Sequence, residues 1–116
     1  MAATTWRDEL ATYSNSGSGL DISAPGGNCY SNTTPEGCIY SAYLNGGYSW
    51  LQGTSMAAPQ VTGAAGTVAS VTGLRGSALR SRLLSTTDGI GSVASFGAGR
   101  LNVYRAVTNS SLPAGQ

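Results

Sequence analysis

From Thr54 onward, alanine, valine and glycine recur so densely that a helix built from this stretch has almost no bulky face. Ala57, Ala58, Val61, Ala64, Ala65, Val68 and Ala69 fall at helical spacing, and small residues fill most positions between them. Small side chains on nearly every face predict a helix over 54–71 that is surrounded by other chain. Gly63 and Gly66 each cost about 1 kcal/mol relative to alanine inside a helix, so they are expected to mark close contact with a sheet or a second helix.

The segments around this helix are short and heavily punctuated. Thr12 to Ser16 reads as an extended piece that ends in a turn at Gly17-Ser18-Gly19. Leu20 to Ala24 reads as a strand stopped by Pro25-Gly26-Gly27. Ile39 to Leu44 and Tyr48 to Leu51 are aromatic-rich arms around Asn45-Gly46-Gly47, a hairpin signal. A second helix is predicted over 77–84, with Ala78, Leu79, Leu83 and Leu84 inward and Arg80 and Arg82 outward. Gly97 and Gly99 then lead into Arg100 to Val107, an extended start that becomes a last helical turn. One domain over residues 1–109 is expected, followed by a loose tail over 110–116.

Charge narrows the partners. Only 9% of the 116 residues are charged, against a usual value of about 25%, and the net charge is +1. No basic cluster exists to hold nucleic acid, and no apolar run is long enough for a membrane span. A surface this poor in charge is expected to lie partly against other protein. The two cysteines, Cys29 and Cys38, are flanked by turn residues (Gly26, Gly27 and Asn28, then Pro35, Glu36 and Gly37), which makes a disulfide easy in an oxidising compartment. Two free thiols in a cytosolic loop are the alternative. With no histidine and two cysteines, a zinc site has too few ligands.

Gly53-Thr54-Ser55-Met56-Ala57-Ala58-Pro59 stands where a hairpin arm gives way to the helix. Thr54 is expected to cap that helix and Ser55 to lie in its first turn, where unpaired N–H groups face outward in a partly positive field. A hydroxyl there can attack a carbonyl while those N–H groups stabilise the oxyanion that forms. Gly53 leaves room for a substrate backbone. Pro59 has no N–H for the Ser55 carbonyl, so the first turn is expected to be distorted. Taken alone, a Gly-Thr-Ser reads first as an ordinary helix N-terminal serine, and it is the longer string that changes the reading.

The longer string resembles the nucleophile motif of the subtilisin-like serine peptidases, Gly-Thr-Ser-Met-Ala-x-Pro, followed here by Val61, Gly63, Ala64 and Ala65. Ala11 to Gly17 and Leu20 to Gly26 are similar to the family's upstream segment, and Gly97-Ala98-Gly99-Arg100-Leu101-Asn102-Val103 to its closing strand. The resemblance implies the C-terminal part of an α/β domain with a mostly parallel sheet, one hairpin and a buried helix that presents the nucleophile. It implies that Ser55 attacks the scissile carbonyl of a polypeptide substrate, that Thr54 and Gly53 support the oxyanion site, and that Leu51 and Met56 line the leaving-group side. Met56 would then be the oxidation-sensitive position; a plain packing methionine is the alternative. Gln60 stands where many members have histidine, outside the triad.

The triad of this family runs Asp, His, Ser along the chain. A sequence with no histidine holds no imidazole base, so the resemblance implies a partner, the N-terminal part of the same domain, with Met1 marking a truncated reading frame or a fragment. No cofactor is implied for this segment, and calcium is left open for the complete parent. A secreted, bacterial endopeptidase is the expected source. A non-catalytic module derived from a peptidase is the second reading. An esterase is disfavoured, because the Gly-x-Ser-x-Gly elbow needs a glycine two residues after the serine, where Ala57 stands.

Overall fold

Ala2-Ala3-Thr4 and Ser23-Ala24-Pro25 have side chains small enough for two strands to be covered on both faces. In the computed structural model, which describes residues 1–29 and 37–110, they form β1 (Ala2–Thr4) and β2 (Ser23–Pro25). The two run parallel, with Ala2 opposite Ser23 and Thr4 opposite Pro25. Arg100 adds a parallel bridge to Ser23, so the closing segment extends the sheet by one position. The hairpin is β3 (Ile39–Ala42) and β4 (Tyr48–Leu51), antiparallel, with Tyr40 opposite Trp50. Asn45 at φ 59° and Gly46 at φ 75° make its turn, which the Gly47 N–H closes on the Leu44 carbonyl at 3.2 Å. Two positive φ values in succession are what a tight hairpin turn requires.

Among the described residues, four α-helices follow: α1 (Thr54–Thr72), α2 (Gly76–Ser85), α3 (Val93–Phe96) and α4 (Val103–Thr108). One stripe of α1 is buried. Ala57 joins Ala3, Ala11 and Ala24 in a core under the parallel strands, while Ala64 and Val68 join Leu83 and Ala106 in a second core against α2 and α4. This corrects the expectation of a helix surrounded on nearly every face. Gly63 and Gly66 point into open space, where an added Cβ would meet nothing within 4 Å. They mark no contact among the described residues.

Other readings shift in detail. Residues 12–16 form a turn and a bend-free connection, not a strand, because the Ser14 N–H folds back to the Ala11 carbonyl at 2.9 Å. In α2, Leu83 is buried and Leu79 and Leu84 half-buried as expected. Ala78 is exposed, and Arg82 turns inward to donate to the Ala106 carbonyl at 3.1 Å. Residues 111–116 of the expected tail, with Pro35 and Glu36 of the expected turn, lie outside the described residues.

The sequence reading missed β1, α3 and a cluster of charges that ties the closing segment to the rest. Asp88, 1% exposed, accepts from Arg100 at 2.6 Å, Arg105 at 3.2 Å and Asn102 at 3.0 Å and 3.1 Å. Arg100 also pairs with Asp8, at the far end of the sequence. Burial alone would push the Asp88 carboxyl up, but the hydrogen bonds from Arg100, Asn102 and Arg105 outweigh it and hold the group below its ordinary 3.8. A carboxylate whose folded value is depressed contributes stability above that ordinary value and loses it as pH falls through the folded value. The stability curve of the chain is therefore expected to be flat near neutrality and to drop once pH passes below 3.8. Asp88→Ala, which leaves Arg105 without a carboxylate and Arg100 with Asp8 alone, should remove about 3 kcal/mol at pH 7 by urea denaturation and flatten that acid limb.

Candidate active site

The start of α1 is set by three neighbouring segments. Gly53 precedes the helix at φ 152°, a conformation that favours glycine, and its carbonyl accepts from Met56 N–H at 3.0 Å and Ala57 N–H at 3.3 Å. Gly53 is therefore the N-cap, and no side chain caps the helix. This corrects the expected role of Thr54, which is already the first helical residue. Pro59 does not interrupt α1; the distortion is confined to a tightened first turn in which two amides share one carbonyl.

Behind this turn, the loop after β2 is stitched to both flanks of Ser55. The Gly53 N–H donates to the Gly26 carbonyl at 2.9 Å, and the Gly26 N–H donates to the Thr4 carbonyl at 3.0 Å. From the helix side, Gln60 Nε2 donates to the Pro25 carbonyl at 2.6 Å. From the hairpin side, Gln52 Oε1 accepts from the Cys29 N–H at 2.7 Å. Tyr13 Oη donates to the Gly27 carbonyl at 2.5 Å and supports the same loop from below. Gly26 has no space for a side chain, since a Cβ would stand 2.6 Å from Ala3 Cβ and 2.7 Å from the Gly53 carbonyl oxygen.

Ser55 is exposed and lies on the wall of a cavity of about 440 Å³ between the first turn of α1 and the inner face of the hairpin. Leu51, Met56, Pro59 and Gln60 line it with Ile39 and Ser49. Leu51, Ser55 and Met56 thus share one wall, while Gly53 and Thr54 form the turn behind it. Thr54 and Ser55 precede the first amides that fold back on the Gly53 carbonyl, so their N–H groups fall among those a helix start leaves without an intrahelical partner. Cys29 and Cys38 are joined in a disulfide with Cα atoms 5.1 Å apart, at the root of the hairpin. Gln52, Gln60, Tyr13 and Gly26 were not singled out as site residues; the one available signal was an amide side chain on either side of the serine motif.

Among the described residues, no three Cys, Asp or Glu side chains gather where a metal ion could be held, and no helix is long and apolar enough to cross a membrane.

Residues 1–99 match the subtilase family, peptidase S8. The chain is 38% identical over 108 residues to thermitase of Thermoactinomyces vulgaris, covering 92% of this chain and 35% of that protein. It is likewise 38% identical over 117 residues to an extracellular protease of Xanthomonas campestris pv. campestris, covering 93% of this chain and 19% of that protein. In structure it superposes on an epidermin leader peptide processing serine protease of Staphylococcus aureus with a TM-score of 0.83 at 26% identity, over 98% of this chain and 31% of the other. A protease of Pseudoalteromonas arctica gives a TM-score of 0.80 at 31% identity, over 95% of this chain and 35% of the other. The chain belongs to the subtilase family, and it spans about a third or less of the length of these relatives.

The stitch at Gly26 generates a test. Gly26→Ala forces Ala3, Tyr13 or Gly53 to move, so it should cost about 1 to 3 kcal/mol in denaturant titration. Gly63→Ala on the open face of α1 should instead raise stability by up to about 1 kcal/mol.

Proposed function

We propose that the chain is the nucleophile-bearing C-terminal portion of a subtilase catalytic domain, over residues 1–109, and that Ser55 attacks the carbonyl of a polypeptide substrate. The observation that carries this is the exposed Ser55 in the first turn of α1, beside a cavity, within the family's Gly-Thr-Ser-Met-Ala-x-Pro motif.

In this reading Ser55 Oγ bonds to the scissile carbonyl carbon, and the carbonyl oxygen takes up the negative charge. The Ser55 N–H, at the positive end of α1, donates to that oxygen, with Thr54 and Gly53 shaping the turn that holds it there. Collapse of the tetrahedral species breaks the C–N bond and leaves an acyl group on Ser55. The leaving amine takes up the proton that Ser55 gave to the base and departs past Leu51 and Met56. Water then gives its proton to the base and attacks the acyl carbon, and collapse of this second tetrahedral species releases the acid and restores Ser55. The proton of Ser55 needs an acceptor, and a chain without histidine offers none of the usual kind. The base and the aspartate that orients it are therefore assigned to the N-terminal part of the same domain, the partner of this chain. Low surface charge and the uncovered outer face of α1 support such a partner. The disulfide, together with a relative named as an extracellular protease, supports an extracellular location.

Purified chain alone is expected not to cleave a chromogenic peptide, since loss of the base costs about six orders of magnitude in triads of this kind. Mixed with the N-terminal part of the domain, it should gain helicity, and Ser55 should react with a fluorophosphonate probe, a reaction that Ser55→Ala abolishes. Tight association of the two parts without labelling would favour the second reading, a non-catalytic module. Cleavage by the chain alone, lost in Ser55→Ala, would overturn the assignment of the base.

A further inference from the structure

The hairpin that faces Ser55 across the cavity has an uncovered edge. In an antiparallel pair, successive residues direct their N–H and C=O groups alternately to the partner strand and to the outside. The Tyr43 N–H donates to the Gly47 carbonyl at 2.8 Å. With Ser41 opposite Ser49 and Ile39 opposite Leu51, this phase turns Ile39, Ser41 and Tyr43 toward β4. Tyr40 and Ala42 therefore direct their N–H and C=O groups away from it. Among the described residues, no hydrogen bond reaches these groups. On β4 the same alternation leaves Tyr48 and Trp50 facing outward at the opposite edge.

The open edge of β3 borders the cavity. From β4 only Ser49 and Leu51 line it, two alternate positions on one face, whereas every residue from Ile39 to Tyr43 does. A strand lines a space with an unbroken run of residues when its backbone edge, and not one face alone, adjoins that space. Ser55, Met56, Pro59 and Gln60 stand across the cavity on α1. Edge strands are ordinarily blunted by charge, proline or a bulge. β3 has none of these: it reads Ile-Tyr-Ser-Ala, and its register with β4 is continuous. Residues 38–60 contain no Asp, Glu, Lys or Arg, so the walls of the slot are neutral.

We infer that the slot between the edge of β3 and the first turn of α1 binds an extended stretch of polypeptide as an added strand, held by main-chain hydrogen bonds at Tyr40 and Ala42. A row of unpaired backbone groups is matched by another backbone, which singles out a polypeptide among ligands. Ile39, Leu51 and Met56 on neutral walls select uncharged, apolar side chains, and about 440 Å³ is space of the size that binding pockets offer. The occupant is the stretch of substrate that follows the scissile bond, because Leu51 and Met56 stand on the leaving-group side. That identity rests on the function proposed above for Ser55; the strand pairing itself requires no catalysis.

Amide NMR of the isotope-labelled chain, titrated with a blocked hexapeptide of alternating threonine and valine, tests the pairing. At saturation the Tyr40 and Ala42 amides should shift and exchange about ten-fold more slowly, while those of Tyr48 and Trp50, on the other edge, stay as they were. Ala42→Pro removes an outward N–H without touching the ladder and should weaken binding about ten-fold or more. Should that variant not fold, the same hexapeptide N-methylated at alternate residues decides: one phase of methylation should abolish binding and the other preserve it. Fluorophosphonate labelling of Ser55 beside the N-terminal part reports the catalytic reading separately, so either result can fail without the other. No shift at Tyr40 and Ala42 up to millimolar peptide, protection of Tyr48 and Trp50 in their place, or equal binding of both methylated forms would each sink the inference. So would protection of Tyr40 and Ala42 without peptide, either on raising the chain concentration, which makes a second copy the occupant, or on adding the N-terminal part, which makes the edge an internal contact of the domain.

Discussion

Two hydrogen bonds on one glycine hold this structure in register. Gly26 donates its N–H to Thr4 and accepts from Gly53 on its carbonyl, so one residue joins the end of β1, the end of β2 and the start of α1. The geometry depends on the absence of a side chain, because Ala3, Tyr13 and Gly53 all stand where a Cβ would go. This contact is one of several that place Ser55. The first turn of α1 is drawn onto the sheet end by the Gly53 amide, and Gln60 fixes the next turn on the Pro25 carbonyl beside it. A hydroxyl on a loop without such ties would sample many positions, and the order of a reactive centre is largely the order of its supports.

The charge cluster performs a comparable task for the closing segment. Asp88 lies in the segment after α2, Arg100 bridges to β2, and Asn102 and Arg105 belong to the cap and body of α4. Pairing Arg100 with Asp8 brings in the loop that follows β1. In a chain with so few charges, Asp8, Asp88, Arg100 and Arg105 are gathered into one partly buried network, and Asp21 and Arg80 pair at the surface. This leaves much of the remaining surface neutral, including an aromatic hairpin face on which Tyr40 stacks with Tyr48 and Trp50.

Much of the site was legible along the chain, because its components are local. The hairpin, the first turn of α1 and Ser55 within that turn follow from turn chemistry, helical spacing and a contiguous motif, and they occupy residues 39–72 without interruption. The closing segment from Gly97 to α4 is also local and is found where its glycines and periodicity put it. Where local reasoning erred, it was over neighbours. Gly63 and Gly66 looked like contact points because their cost in a helix asks for a compensating contact, yet nothing approaches them among the described residues. Thr54 looked like a cap because a hydroxyl there could serve, but Gly53 takes the cap position, so the helix starts one residue sooner.

Residue order along the chain therefore settles the local features of this subtilase segment: a serine at a helix start, preceded by glycine and threonine, with no imidazole in the sequence. Folding settles which groups hold that serine in place. Tyr13, Gly26, Gln52 and Gln60 are scattered over 48 positions, and β1 is too short and too polar at Thr4 to announce itself as a strand. Asp8 and Arg100 meet across 92 residues. Contacts of that range leave no periodic or contiguous trace, since each residue is chosen for a partner that only the folded chain brings near.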